Sequence, residues 1–206
     1  MVAHHESRFF ISATWQEYLK YLEAVGDRPI RVTFDRGRLE LLSPSPAHER
    51  AKKLLATLLE ALLADWNLDY EALGSTTFRR EDLERGLEPD ECYWLREAAY
   101  VRTLLELDLT RDPAPELVIE IEITSSILNR LSLFHAMKVT EIWRLTRKGE
   151  LVVLGWTPEG YAVLPLSAVV SGLPASAISQ FLEPRDCPRP QLIREFLNWA
   201  RPYRAV

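Results

Sequence analysis

The sequence predicts one α/β or α+β domain, with helices flanking a central sheet. Three observations carry this expectation. The chain has 206 residues, 47% of them hydrophobic, which suits a single sizeable core better than two small ones. Leu54, Leu55, Leu58, Leu59, Leu62 and Leu63 recur with helical spacing. Short alternating segments with strand character lie on either side of that helix, without repeats or low-complexity tracts.

In chain order, Thr14 can cap a helix through Trp15, Tyr18, Leu19 and Leu22 to Val25, and Gly26 and Pro29 stop it. Ile30 to Phe34 and Leu39 to Leu42 have the pattern of two strands joined through Asp35, Arg36 and Gly37. Ser45 and Pro46 then supply a cap and a first turn for the leucine-striped helix. After a polar stretch, a strand follows Pro89, and Asp90 stands at its beginning. Leu117, Ile119, Ile121 and Ile123 alternate with Val118, Glu120 and Glu122, so the second strand has one aliphatic face and one that carries two acids. A helix from Ser126 to Met137, with serines able to cap it, precedes a strand from Glu141 to Leu145. Hairpins around Gly149 and Gly160 and a helical tail from Pro190 to Pro202 complete the chain. The domain thus divides into a helix and hairpin at about 12–43, a core at about 46–145 and C-terminal hairpins and helices at about 150–203.

Composition excludes more than it selects. Met1 to Arg8 are polar and charged, and no stretch approaches the length of a membrane span, so a cytoplasmic protein without a membrane partner is expected. Cys92 and Cys187 form neither a CxxC pair nor a cluster with histidine, and reduced thiols are expected. A net charge of −5 does not advertise a broad phosphate-binding surface, although a local basic site can coexist with it. The chain has no Gly-x-Ser-x-Gly elbow, phosphate loop or dinucleotide fingerprint.

The acids are the informative feature. Glu120 and Glu122 share a strand face at roughly 7 Å, from two steps of about 3.3 Å. In isolation a solvated face is the better explanation of them. Their aliphatic reverse face and the Pro89-Asp90 step thirty positions upstream point instead to a shared metal. A glycosidase acid pair lacks a recognisable sugar site.

Pro89-Asp90, then Pro115-Glu116-Leu117-Val118-Ile119-Glu120-Ile121, then Thr124-Ser125-Ser126 and Lys138-Val139-Thr140-Glu141-Ile142-Trp143, in this order, resemble the Uma2 family, also called DUF820. The likeness runs from the N-terminal helix and the Ser43-Pro44-Ser45-Pro46-Ala47-His48 segment to about Tyr161. It implies an α/β restriction endonuclease-like fold with a central mixed sheet flanked by helices. It also implies a magnesium- or manganese-dependent nuclease acting on nucleic acid, DNA above all, and by analogy a homodimer. Carried over by position, the resemblance makes Asp90 and Glu120 metal ligands, with the Ile121 carbonyl as a third.

This chain departs from the pattern where the superfamily places a lysine two residues after the second acid, because Glu122 stands there. Related sequences place the lysine in the next helix, at the position of Arg130, four residues before Phe134. Arginine can stabilise negative charge but is a poor proton carrier. A nuclease fold retained only for binding nucleic acid or protein is therefore the alternative. The family's helix motif also points to His48 and Glu49. The helical wheel sets His48 at the edge of the leucine stripe and Glu49 opposite its centre. For each, a site role and a structural one, as core-edge histidine or capping glutamate, both stand.

Overall fold

The computed structural model describes residues 7–122, 128–170, 172–183 and 185–204. The elements are β1 (Ser7–Ser12), α1 (Trp15–Val25), β2 (Arg31–Asp35), β3 (Arg38–Ser43), α2 (Pro46–Asp65), β4 (Glu71–Ala72), β5 (Phe78–Arg80), β6 (Arg85–Leu87), β7 (Glu91–Trp94), α3 (Ala98–Val101), β8 (Leu117–Ile121), α4 (Arg130–Ala136), β9 (Glu141–Leu145), β10 (Leu151–Thr157), β11 (Gly160–Leu164), α5 (Ala175–Leu182) and α6 (Arg189–Ala200).

The leucine stripe makes α2 the organising helix. Ser45 Oγ accepts from the His48 amide at 3.2 Å, which satisfies one of the free N–H groups of the first turn, and Pro46 needs no such partner. Leu55, Leu58, Leu59, Leu62 and Leu63 are buried against Leu117, Ile119 and Ile121, the aliphatic face of β8. Each such side chain contributes about 1.5–3 kcal/mol on leaving water, enough together to fix the helix on the sheet.

That sheet is six-stranded and mixed, in the order β11-β10-β9-β8-β7-β4. β8 and β9 are parallel, and α4 lies on the crossover between them. The other pairs are antiparallel. Val118 on the opposite face of β8 packs with Leu133, Phe134 and Ile142, so α4 covers the side to which Glu120 belongs.

A second, antiparallel sheet in the order β1-β3-β2-β6-β5 was not expected. Arg36 and Gly37, at φ 43° and 86°, make the two-residue turn between β2 and β3. One face of this sheet packs Val32, Phe34 and Leu39 against Trp15 and Tyr18 of α1. Register puts Arg31, Thr33, Glu40, Leu42, Arg8 and Phe10 on the other face.

The expected α1, β2–β3 hairpin, α2 and C-terminal helix are present, as are the two hairpins following β9. β1, β4, β5, β6, α3 and α5 are additions. α4 begins at Arg130, with Asn129 Oδ1 accepting from the Ser132 amide at 3.1 Å, rather than near Ser126. The expected extension of the second strand to Ile123, the capping serines 125 and 126 and the polar residues 1–6 lie outside the described residues. Cys92 and Cys187 are free thiols. Among the described residues no helix is long and apolar enough to cross a membrane.

Candidate active site

Asp90, Glu120, Ile121, Glu122, Arg130 and His48 all line one cavity of about 270 Å³. It opens where the charged face of the antiparallel sheet meets the ends of β7 and β8, and Arg8, Arg31 and Arg144 complete its basic lining.

Asp90 precedes β7 and is only 2% exposed. Its Oδ2 accepts from the Ile121 amide at 2.5 Å. Its Oδ1 accepts from His48 Nε2 at 2.8 Å and is also paired with the Arg31 guanidinium. Because a carboxylate only accepts, this contact places a hydrogen on His48 Nε2. Main-chain N–H and C=O groups of one strand residue point to the same side, so the Ile121 carbonyl faces the same edge as the amide that holds Asp90.

Glu120 comes from β8, on the face toward α4. Both of its oxygens accept from Arg130, Nε to Oε2 at 2.6 Å and Nη2 to Oε1 at 2.8 Å. This two-pronged pairing has defined geometry and needs a guanidinium. Arg130 is fixed further by donating Nη1 to Thr33 Oγ1 and Nη2 to the Glu88 carbonyl, each at 2.8 Å, and its guanidinium lies 5.6 Å from the Phe134 ring centre. Burial pulls the Arg130 pKa down, but the Glu120 charge and hydrogen bonds reverse this, and the net direction is upward. For Arg31 burial wins and the pKa falls. Burial raises that of Glu88.

The remaining candidates separate. Glu122 faces Arg144 across 3.8 Å, and Arg144 Nε has no hydrogen-bond acceptor among the described residues. Glu49 is not part of the cavity lining; it is half exposed and pairs with Lys52 Nζ at 2.8 Å and Arg31 Nη2 at 3.5 Å. His48, 1% exposed, is the inward member of that pair, as the helical wheel indicated. His135 serves packing: its Nε2 donates to the Thr157 carbonyl at 2.7 Å and its ring stacks on Trp156. The Cys92 thiol is pushed up to about 12 by burial, which removes it as a nucleophile.

Arg31 is the principal residue that sequence reasoning missed. Its signal was present, since Arg31 and Thr33 alternate with Val32 and Phe34 just as Glu120 and Glu122 alternate with aliphatic neighbours. Arg8, which lines the cavity, and Glu40, joined to it at 3.0 Å, depend on the register of β1 with β3 and have no local signature.

The oxygens that could hold a small, hard dication are few. Asp90, Glu120 and the Ile121 carbonyl offer oxygens only, the four carboxylate oxygens accept from protein donors, and among the described residues no group of three or more His, Cys, Asp or Glu side chains is placed to hold a metal ion. A magnesium-type ion retains waters and needs few protein ligands, whereas a structural zinc site demands more.

The fold of the chain resembles that of a solved protein described as a "putative nuclease belonging to DUF820" from Anabaena variabilis ATCC 29413. The TM-score is 0.52 at 13% identity, with 91% of this chain and 98% of that one covered. No curated protein matches the chain. The model of the Uma2 family, described as "Putative restriction endonuclease", matches residues 15–176. That span includes the helix bearing His48, both strand ends that carry the acids, and the helix that returns Arg130 to Glu120, and on this evidence the chain belongs to the Uma2 family.

Proposed function

We propose that the chain is a divalent-metal-dependent nuclease that hydrolyses phosphodiester bonds, with DNA as its first candidate substrate. The observation that carries this reading is the delivery of Asp90 and Glu120, from two adjacent strands, into one cavity walled by arginines. Magnesium or manganese held by Asp90, Glu120 and the Ile121 carbonyl would supply activation of water and stabilisation of a phosphoryl oxyanion.

The chain's own residues have separable roles in this scheme. His48, Arg31 and the Ile121 amide fix the Asp90 carboxylate, and Arg130 fixes Glu120 while bringing positive charge to the wall. Arg8 and Arg144 give a phosphate further electrostatic reason to enter. Leu42, Leu128 and Phe134 line the cavity with apolar surface, which strengthens these interactions by limiting water. Arg130 acts here by charge, not by proton transfer.

The test is cleavage of labelled DNA and RNA of varied form by the purified protein with magnesium or manganese. Metal-dependent hydrolysis is expected, abolished by chelation and reduced by at least about 100-fold in Asp90→Ala, since even partners outside the ligand set cost 10–100-fold. Absence of cleavage across those substrates would overturn the proposal.

A second reading has its own supporting observation. Every carboxylate oxygen of Asp90 and Glu120 already accepts from a protein donor, as a retained binding module would require. Metal-dependent cleavage that disappears in Asp90→Ala rejects it.

A further inference from the structure

The two acids present little surface to a phosphate held on a duplex. Asp90 is 2% exposed, and the Glu120 side chain is 13% exposed. A volume of about 270 Å³ lies at the small end for a ligand pocket, of the order of one nucleotide rather than a length of helix. A cavity of this size suits a strand free of its complement better than a duplex.

The cavity rim supplies what such a strand needs. β1 is the edge strand of the antiparallel sheet, and Arg8 and Phe10 project from the same face of it. Arg8 lines the cavity; Phe10, directly across from Glu40, is 39% exposed. Two strand steps of about 3.3 Å separate them by roughly 7 Å, so a flat aromatic surface stands beside a guanidinium that lines the cavity while paired with Glu40 at 3.0 Å. Arg144 also lines the cavity, and its Nε lacks a hydrogen-bond acceptor among the described residues. Stacking plus backbone charge is the means by which single strands are bound without sequence preference.

We infer that the site takes single-stranded nucleic acid, with Phe10 stacking a base next to the phosphate that Arg8 admits to the cavity. This inference rests on the nuclease reading for its chemistry, but its binding step stands apart from catalysis.

The experiment uses fluorescence anisotropy without divalent metal, comparing a short labelled oligonucleotide with its duplex, for the wild-type chain and for Phe10→Ala and Phe10→Trp. The single strand should bind more tightly than the duplex. Phe10→Ala should weaken single-strand binding roughly five- to hundredfold, the range for loss of one base–aromatic stack, and Phe10→Trp should restore it. An abasic position introduced along the strand should cost the wild type affinity at one register and cost Phe10→Ala little. Equal or tighter duplex binding, or an unchanged Phe10→Ala, overturns the inference. So does a Phe10→Ala variant that only changes oligomeric state. Thermal melting confirms that each variant is folded. Phe10-dependent binding without cleavage in manganese would sink the nuclease reading alone. Phe10-independent cleavage of duplex would sink this inference alone.

Discussion

Glu141 and Asp90 are both buried acids at strand beginnings in the mixed sheet, yet they are held in opposite ways. Glu141, fully buried on β9, accepts from neutral donors: Ser167 Oγ at 2.6 Å, Trp143 Nε1 at 2.7 Å and the amides of Ala168 and Val169 at 2.7 and 3.3 Å. It does not line the cavity. Asp90 accepts one amide but otherwise faces Arg31 and His48, at the floor of that cavity. Burial of a carboxylate therefore does not mark a site. Glu141 ties the 167–169 turn to the sheet, with its hydrogen-bonding capacity used up on a closed structure. Asp90 is held by partners of which two carry or can carry charge, beside space that another charged group can enter.

The largest expected effect breaks the charged arrangement. Arg31→Met removes a cation from a buried acid and should destabilise the chain by about 3–5 kcal/mol in chemical denaturation. Because the penalty comes from the stranded charge, Arg31→Met combined with Asp90→Asn should cost much less than the sum of the two single changes. Simple additivity would show that Arg31 acts by packing. The neutral arrangement should respond more mildly. Glu141→Gln keeps one acceptor but turns an amide toward donors, and leaving one of them without a partner costs about 1–3 kcal/mol. Oligonucleotide affinity should not change. If it does, Glu141 communicates with the cavity and the contrast with Asp90 fails.

This contrast also explains what the sequence could reveal. Asp90 and Glu120 were legible because a strand's period of two exposes an acid set against an aliphatic face, and because their order along the chain resembles a family pattern. His48 was legible through the helical period of α2. Glu141 lies in a segment of the same pattern, but nothing local marks its partners: it follows Thr140 at a strand start, and only the fold brings Ser167 and the next two amides onto it. The second sheet was equally hidden, since β1 meets β3 about thirty residues later and pairs Arg8 with Leu42 and Phe10 with Glu40. Local propensity indicates that a strand exists, but the partner that gives its face a purpose is a long-range choice. Arg130 was placed at the site by position, whereas its two-pronged grip on Glu120 required the β8–α4 crossover to be seen.

Glu122 tests where the charged arrangement ends. It lies two residues beyond Glu120, it lines the cavity, and its side chain is 38% exposed. Its 3.8 Å separation from Arg144 Nε is too long for a hydrogen bond. A pair of this kind contributes about 0–1 kcal/mol, so Glu122→Ala should leave the denaturation midpoint almost unchanged. Removing the acid also leaves Arg144 without its opposing charge, and single-strand affinity should rise slightly, with the gain shrinking as salt is added. A loss of metal-dependent cleavage comparable to that of Asp90→Ala would contradict this boundary. Glu122 would then join Glu120 as a working acid, and the arginine-walled cavity would hold three functional carboxylates.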